Sequence, residues 1–100
     1  MEDFTELARD RNCEIRIPGL CNRRTDTTVA AHYSLATFSG NGTKSPMWMI
    51  AFACSDCHDY VDGRKRSANF TRDQVRPMHA EGVFRTQRAL LNEGKLEVAA

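Results

Sequence analysis

The sequence predicts a small α+β domain cross-linked through its cysteines, with a helix at each end. Three observations carry that expectation. The four cysteines fall into two pairs, Cys13 with Cys21 and Cys54 with Cys57. Short β-prone segments lie around and between them, and the longest helical pattern fills the end of the chain. At 100 residues and 41% hydrophobic side chains, the chain can bury a single core of adequate but not generous size.

Residues 2–11 read as a short helix, with Phe4, Leu7 and Ala8 on one face, acidic residues early and arginines late. Cys13-Glu14-Ile15-Arg16-Ile17 alternates in polarity and reads as a strand. Pro18-Gly19 is a turn signal that can fold Cys21 back toward Cys13. Thr27 to Tyr33 is β-branched and small, a second strand with His32 near its end. Glycine and proline make Phe38 to Pro46 a loop. Met47 to Cys54 is apolar and fits either a buried strand or a helical turn.

Ser55 is placed to cap a helix from Asp56 to about Asp62, which Gly63 would end. The last segment is the clearest helix. It opens on a capping box, Thr71-Arg72-Asp73-Gln74, and persists to Asn92-Glu93-Gly94. Pro77 is expected to kink or divide it, because proline lacks the backbone donor. Residues 1–100 thus form one domain, with a cysteine-bearing core over about 11–66 and a helical segment over about 71–94.

A formal net charge of +1 excludes a global basic field, so any nucleic-acid contact must come from local clusters. Met1-Glu2-Asp3-Phe4 begins acidic and is followed by no apolar run of the signal-peptide kind. No stretch is long and apolar enough to span a bilayer. The expected compartment is the cytoplasm, where cysteine clusters bind metal more often than they form disulfides.

Four thiolates are the number that a closed tetrahedral zinc site requires. Cys54 and Cys57 make a CxxC knuckle, and Cys13 and Cys21 supply the other half. The bland alternative is that some are simply buried, as cysteines often are. A redox CxxC is the other, but no βαβ pattern surrounds this one.

With zinc closed by sulfur, the imidazole of His58 is a surplus ligand. Asp62 lies one helical turn later on the same face, so the pair can serve a second divalent ion such as Mg2+ or Mn2+. Asp59 is turned about 100° away around such a helix. His32, after two alanines at the end of an apolar strand, can act as a general base. His79 has no partner at metal-ligand spacing and reads as structural. Arg64, Lys65 and Arg66 follow the helix of His58 and suit phosphate contacts, to which Arg23 and Arg24 can add.

Three segments, Arg11 to Cys21, Ala31-His32-Tyr33 and Ala53 to Asp59, together resemble the HNH, or His-Me finger, endonucleases. More narrowly, they resemble the YbcO-like nuclease family of lambdoid phages and prophages, over most of the chain. The resemblance implies a ββα-metal fold in which two strands and a helix surround one divalent ion. It implies His32 as the base that activates water, His58 as a ligand of the catalytic ion, and a structural zinc on the four cysteines. DNA would be the substrate, and a homodimer would let such an enzyme cut both strands.

Two positions depart from the family pattern. Ala31 stands where many members have an acidic residue or histidine, and Met49 stands near the place of an asparagine. A non-catalytic zinc module of phage origin, binding DNA or a protein, is therefore the alternative reading.

Overall fold

A computed structural model describes residues 4–34, 46–65 and 69–97. Its elements are α1 (Phe4–Leu7), β1 (Val29–His32), β2 (Ile50–Ala53), α2 (Ser55–Val61) and α3 (Arg72–Asn92). Single 3-10 turns at Thr25–Thr27 and Met47–Met49 precede the two strands. β1 and β2 form a two-stranded antiparallel sheet in which Ala30 lies opposite Phe52 and His32 opposite Ile50. The architecture is a small α+β fold, as the sequence suggests. Among the described residues, no helix is long and apolar enough to cross a membrane.

So small a sheet is stable only when its faces are covered. Side chains alternate across a strand, so successive residues of β2 face opposite ways. Ala31, Ala51 and Ala53 face a cluster built from Ile15, Ile17, Cys54, Cys57, Tyr60, Val75 and Val83. Ala30, Ile50 and Phe52 face Phe4, Ala8 and Leu90. Every residue of β2 is buried, and α3 packs along it.

The alanines set how closely α3 can approach. Gly82 of α3 lies over them, and a Cβ there would stand 2.9 Å from Cγ1 of Ile15 and 3.2 Å from Cβ of Ala51. Glycine in a helix costs about 1 kcal/mol relative to alanine. Here it admits the backbone contact that seals the core.

The expected strand at Cys13–Ile17 does not form. Its burial alternates as the sequence pattern requires, with Cys13, Ile15 and Ile17 buried. Its backbone, however, finds few partners on the outer edge of β2. Glu14 N–H donates to Phe52 O at 2.7 Å, but the Phe52 N–H goes to the hydroxyl of Thr86 on α3 at 2.9 Å. Arg85, also on α3, takes the carbonyls of Glu14 and Ile15. Arg16 then turns the chain into the left-handed region at φ 57°. Side chains from α3 thus occupy the groups a third strand would need.

Other boundaries shift for local reasons. α1 ends at Leu7, followed by tighter turns to Arg11 and a left-handed Asp10 at φ 57°. The second strand is shortened to Val29–His32, because Thr25–Thr27 forms a 3-10 turn. Met47–Cys54 divides into a 3-10 turn and β2, combining its two expected conformations. Most of the Phe38–Pro46 loop lies outside the described residues.

α3 begins with the capping box of Thr71 and Gln74 and runs undivided through Pro77. Asp73 and Pro77 are both exposed, so the carbonyl deprived of its helical donor can face water.

Thr86 offers a sharp test. Its buried hydroxyl donates to Gly82 O at 2.8 Å and accepts the Phe52 N–H. Thr86→Val keeps the shape and leaves that N–H unpaired, so a loss of about 1–3 kcal/mol in denaturant melts is expected. Thr86→Ser should recover most of it. Equal stabilities for the Val variant and the parent would remove the hydroxyl from the account.

Candidate metal centre and active site

The chain brings all four cysteines together at one end of the sheet. Their Sγ atoms lie within 4.8 Å of one another, and those of Cys21 and Cys54 are 3.9 Å apart. A tetrahedron with zinc–sulfur bonds of about 2.3 Å has edges of about 3.8 Å. A disulfide needs about 2.05 Å, and all four cysteines are free. The cluster can hold a metal such as zinc.

Backbone geometry prepares the sulfurs. Cys54 is the N-cap of α2, and its Sγ accepts the Cys57 N–H at 3.4 Å. The cap is therefore the Cys54 sulfur rather than the expected Ser55 hydroxyl, and the helix starts one residue earlier. Left-handed Arg16 directs its N–H at the Cys13 sulfur, 3.5 Å away. Asn22, beside Cys21, ties this arm to α2 by donating to Ser55 Oγ and to Asp56 Oδ2.

The proton balance of the thiols follows from this crowding. Cys13 is pulled down to about 4, chiefly by the hydrogen bond from the Cys57 thiol. Cys57 is pushed up by holding that proton, and by burial. Cys21 is pushed up to about 11, first by burial and then by its charged neighbours. Without a cation, a single strong thiolate is favoured over several. A dication at the centre compensates the others, so metal binding releases protons.

α2 carries the second group of interest away from the sulfurs. His58 Nε2 lies 3.2 Å from Asp62 Oδ2, one turn apart, with side chains 25% and 36% exposed. Gly63, at φ 80°, ends the helix just beyond. The expected His58–Asp62 pairing is present as a direct contact. Asp59 instead lies 4.0 Å from Arg64. Among the described residues, the cysteines are the cluster of three or more metal-binding side chains, so His58 and Asp62 are a two-donor pair.

His32 is exposed at the end of β1, and α2 packs against that strand. Both of its chain neighbours are held by His79. The ring of His79 lies 3.1 Å from the Ala31 carbonyl, which requires a proton on Nε2. It also meets the Tyr33 ring edge-on at 5.1 Å. Burial lowers the His79 pKa, partly offset by the Ala31 hydrogen bond, which favours the neutral ring. Its structural reading acquires a specific content here: it braces the strand on either side of His32.

The expected phosphate contacts are partly engaged within the chain. Arg64 is 3.9 Å from Asp62, Lys65 pairs with Asp56, and Arg24 pairs with Asp26. Arg66 lies outside the described residues. Sequence reasoning missed Arg72 and Arg76, which share a face of α3 with His79. Their spacing of four and then three residues was the available signal.

Comparison with known proteins fits this arrangement. The family profile described as "Putative nuclease YbcO" matches residues 2–95. The chain belongs to the YbcO family. It is 39% identical over 99 residues to "Putative nuclease YbcO" of Escherichia coli (strain K12), covering 97% of this chain and 99% of that one. The protein of the same description from Enterobacteria phage 82 matches with the same identity and coverage. Among solved structures, the chain resembles one described as "Structure of a putative bacteriophage protein from Escherichia coli str. K-12 substr. MG1655". It superimposes with a TM-score of 0.72 at 34% identity, over 90% of this chain and 98% of that one.

The YbcO fold should depend on its metal. Protein purified without chelator is expected to carry one zinc per chain by elemental analysis, and Cys54→Ser to lose it. Stripping the zinc should abolish cooperative thermal unfolding, since binding contributes on the order of 10–16 kcal/mol in small zinc modules. A metal-free chain melting as cooperatively as the loaded one would contradict this.

Proposed function

We propose that this chain is a zinc-stabilised endonuclease of the His-Me finger type that hydrolyses phosphodiester bonds in DNA in the cytoplasm of a bacterial host. The observation that carries the reading is the His58–Asp62 contact. It stands on a helix that begins inside the cysteine cluster and packs against the strand bearing His32. The two strands and α2 would then serve as the two strands and helix of a ββα-metal site.

His58 and Asp62 fit a hard divalent ion that keeps several waters. Mg2+ commonly takes only one or two protein donors besides water and phosphate oxygens. Such an ion, Mg2+ or Mn2+, would supply charge neutralisation at the scissile phosphate and the leaving oxygen. His32 takes a proton from the attacking water as its oxygen bonds to phosphorus. The bond from phosphorus to the leaving oxygen breaks, and that oxygen departs with a proton from solvent. His79, through Ala31 and Tyr33, keeps the His32 backbone in place. Arg64, Lys65 and Arg66 would hold the strand by its phosphates.

The second reading, a non-catalytic zinc module that binds DNA or a phage partner, is favoured by one observation. Ala31 is fully buried against the core, so position 31 offers no third ligand.

Plasmid nicking separates the two. Zinc-loaded protein with added Mg2+ or Mn2+ is expected to nick supercoiled DNA. His32→Ala should lose about 10²–10⁴-fold in rate, the usual contribution of a general base, while binding zinc as the parent does. A folded, zinc-replete parent that never nicks would establish the binding module instead.

A further inference from the structure

A cavity between the C-terminal end of α2 and the first turns of α3 adjoins the site described above and shares His79 with it. Its volume is about 370 Å³, and its lining includes the cations Lys65, Arg72 and Arg76, with His79, and the aromatic rings of Tyr60 and Phe70; Lys65 is engaged by Asp56. No carboxylate is among the described lining residues. That bias is local, because the whole chain carries a net charge of only +1. Arg72 is exposed and has no ion pair with any described residue. Arg76 spends one N–H on the Ser34 carbonyl and lies over the Tyr33 ring at 4.5 Å, keeping further donors available.

We propose that this cavity is a subsite for one unpaired nucleotide of the substrate strand. The phosphate would meet Arg72 and Arg76, and the base would lie against Phe70 and the apolar wall. The proposal rests on the nuclease reading for the identity of the strand. Two observations select an unpaired nucleotide over a duplex, and a third relates the cavity to the site. The space, about 370 Å³, is on the scale of a single nucleotide and too small to admit an intact double helix. The cations are matched by aromatic surface, the combination that single-strand sites use. The cavity shares His79 with the brace around His32, so an occupant would lie near the backbone that carries His32.

Binding is measured by fluorescence anisotropy with labelled oligo(dT), using zinc-loaded His32→Ala protein without added Mg2+ or Mn2+. The single strand is expected to bind at least tenfold tighter than a blunt duplex of equal length. Arg72→Gln should weaken it several-fold and reduce the slope of log K against log salt by about 0.7, the loss of one phosphate contact. Arg88→Gln, an exposed cation elsewhere on α3, should leave single-strand preference intact and bind close to the parent. Equal affinity for duplex and single strand, or equal losses in the two arginine variants, would overturn the subsite. Displacement of the oligonucleotide by free thymidine monophosphate at comparable concentration would also overturn it, by assigning the cavity to free nucleotides. These outcomes are independent of the plasmid assay. A chain that nicks DNA without single-strand preference loses the subsite alone, and one that shows the preference without nicking loses the nuclease reading alone.

Discussion

Four sulfur atoms within 4.8 Å of one another draw together segments from both halves of the chain. Cys13 and Cys21 come from an arm with almost no regular structure, while Cys54 and Cys57 begin a helix. The arm makes a single ladder-type hydrogen bond to β2 and otherwise leans on side chains of α3 and, through Asn22, on α2. Its position therefore depends on the thiol cluster more than on the sheet. The cluster in turn fixes the first turn of α2, because Cys54 is both a candidate ligand and the helix cap.

The two-stranded sheet converts that local order into a core. Alternation sends alanines toward the cysteine side and the larger Ile50 and Phe52 toward α1. Small residues on one face let α3 lie close, and Gly82 completes the approach. α3 does more than cover. Thr86 and Arg85 pair with backbone groups that another strand would otherwise satisfy, so a single helix seals both the face and the edge of β2. That economy suits a chain whose core is small for the number of elements it holds together.

Much of this was legible from particular residues. The capping box at Thr71–Gln74 and the end of α2 near Gly63 follow from short-range chemistry, which sequence reports directly. The His58–Asp62 contact followed from helical spacing alone. Cys13–Ile17 misled because alternation reports which side chains are buried, not what the backbone bonds to, and α3 had already taken the edge. The cap at Cys54 was hidden because thiols are rarely counted as caps. The role of His79 was hidden for a different reason: its partners, Ala31 and Tyr33, lie more than 40 residues away, and no spacing rule connects them. The arginines of the α3 face were visible as a pattern, but only the fold shows that a cavity lies before them.

Because α2 starts on a sulfur of the cysteine cluster, its rotational phase is set at Cys54 and carried forward by a fixed 100° per residue. His58 and Asp62 inherit their direction from that origin. Substitutions between Cys57 and Asp62 change what the helix displays, whereas inserting or deleting one residue rotates everything after it away from β1. This short segment can vary in composition but is nearly rigid in length, so gaps in its relatives should fall outside it.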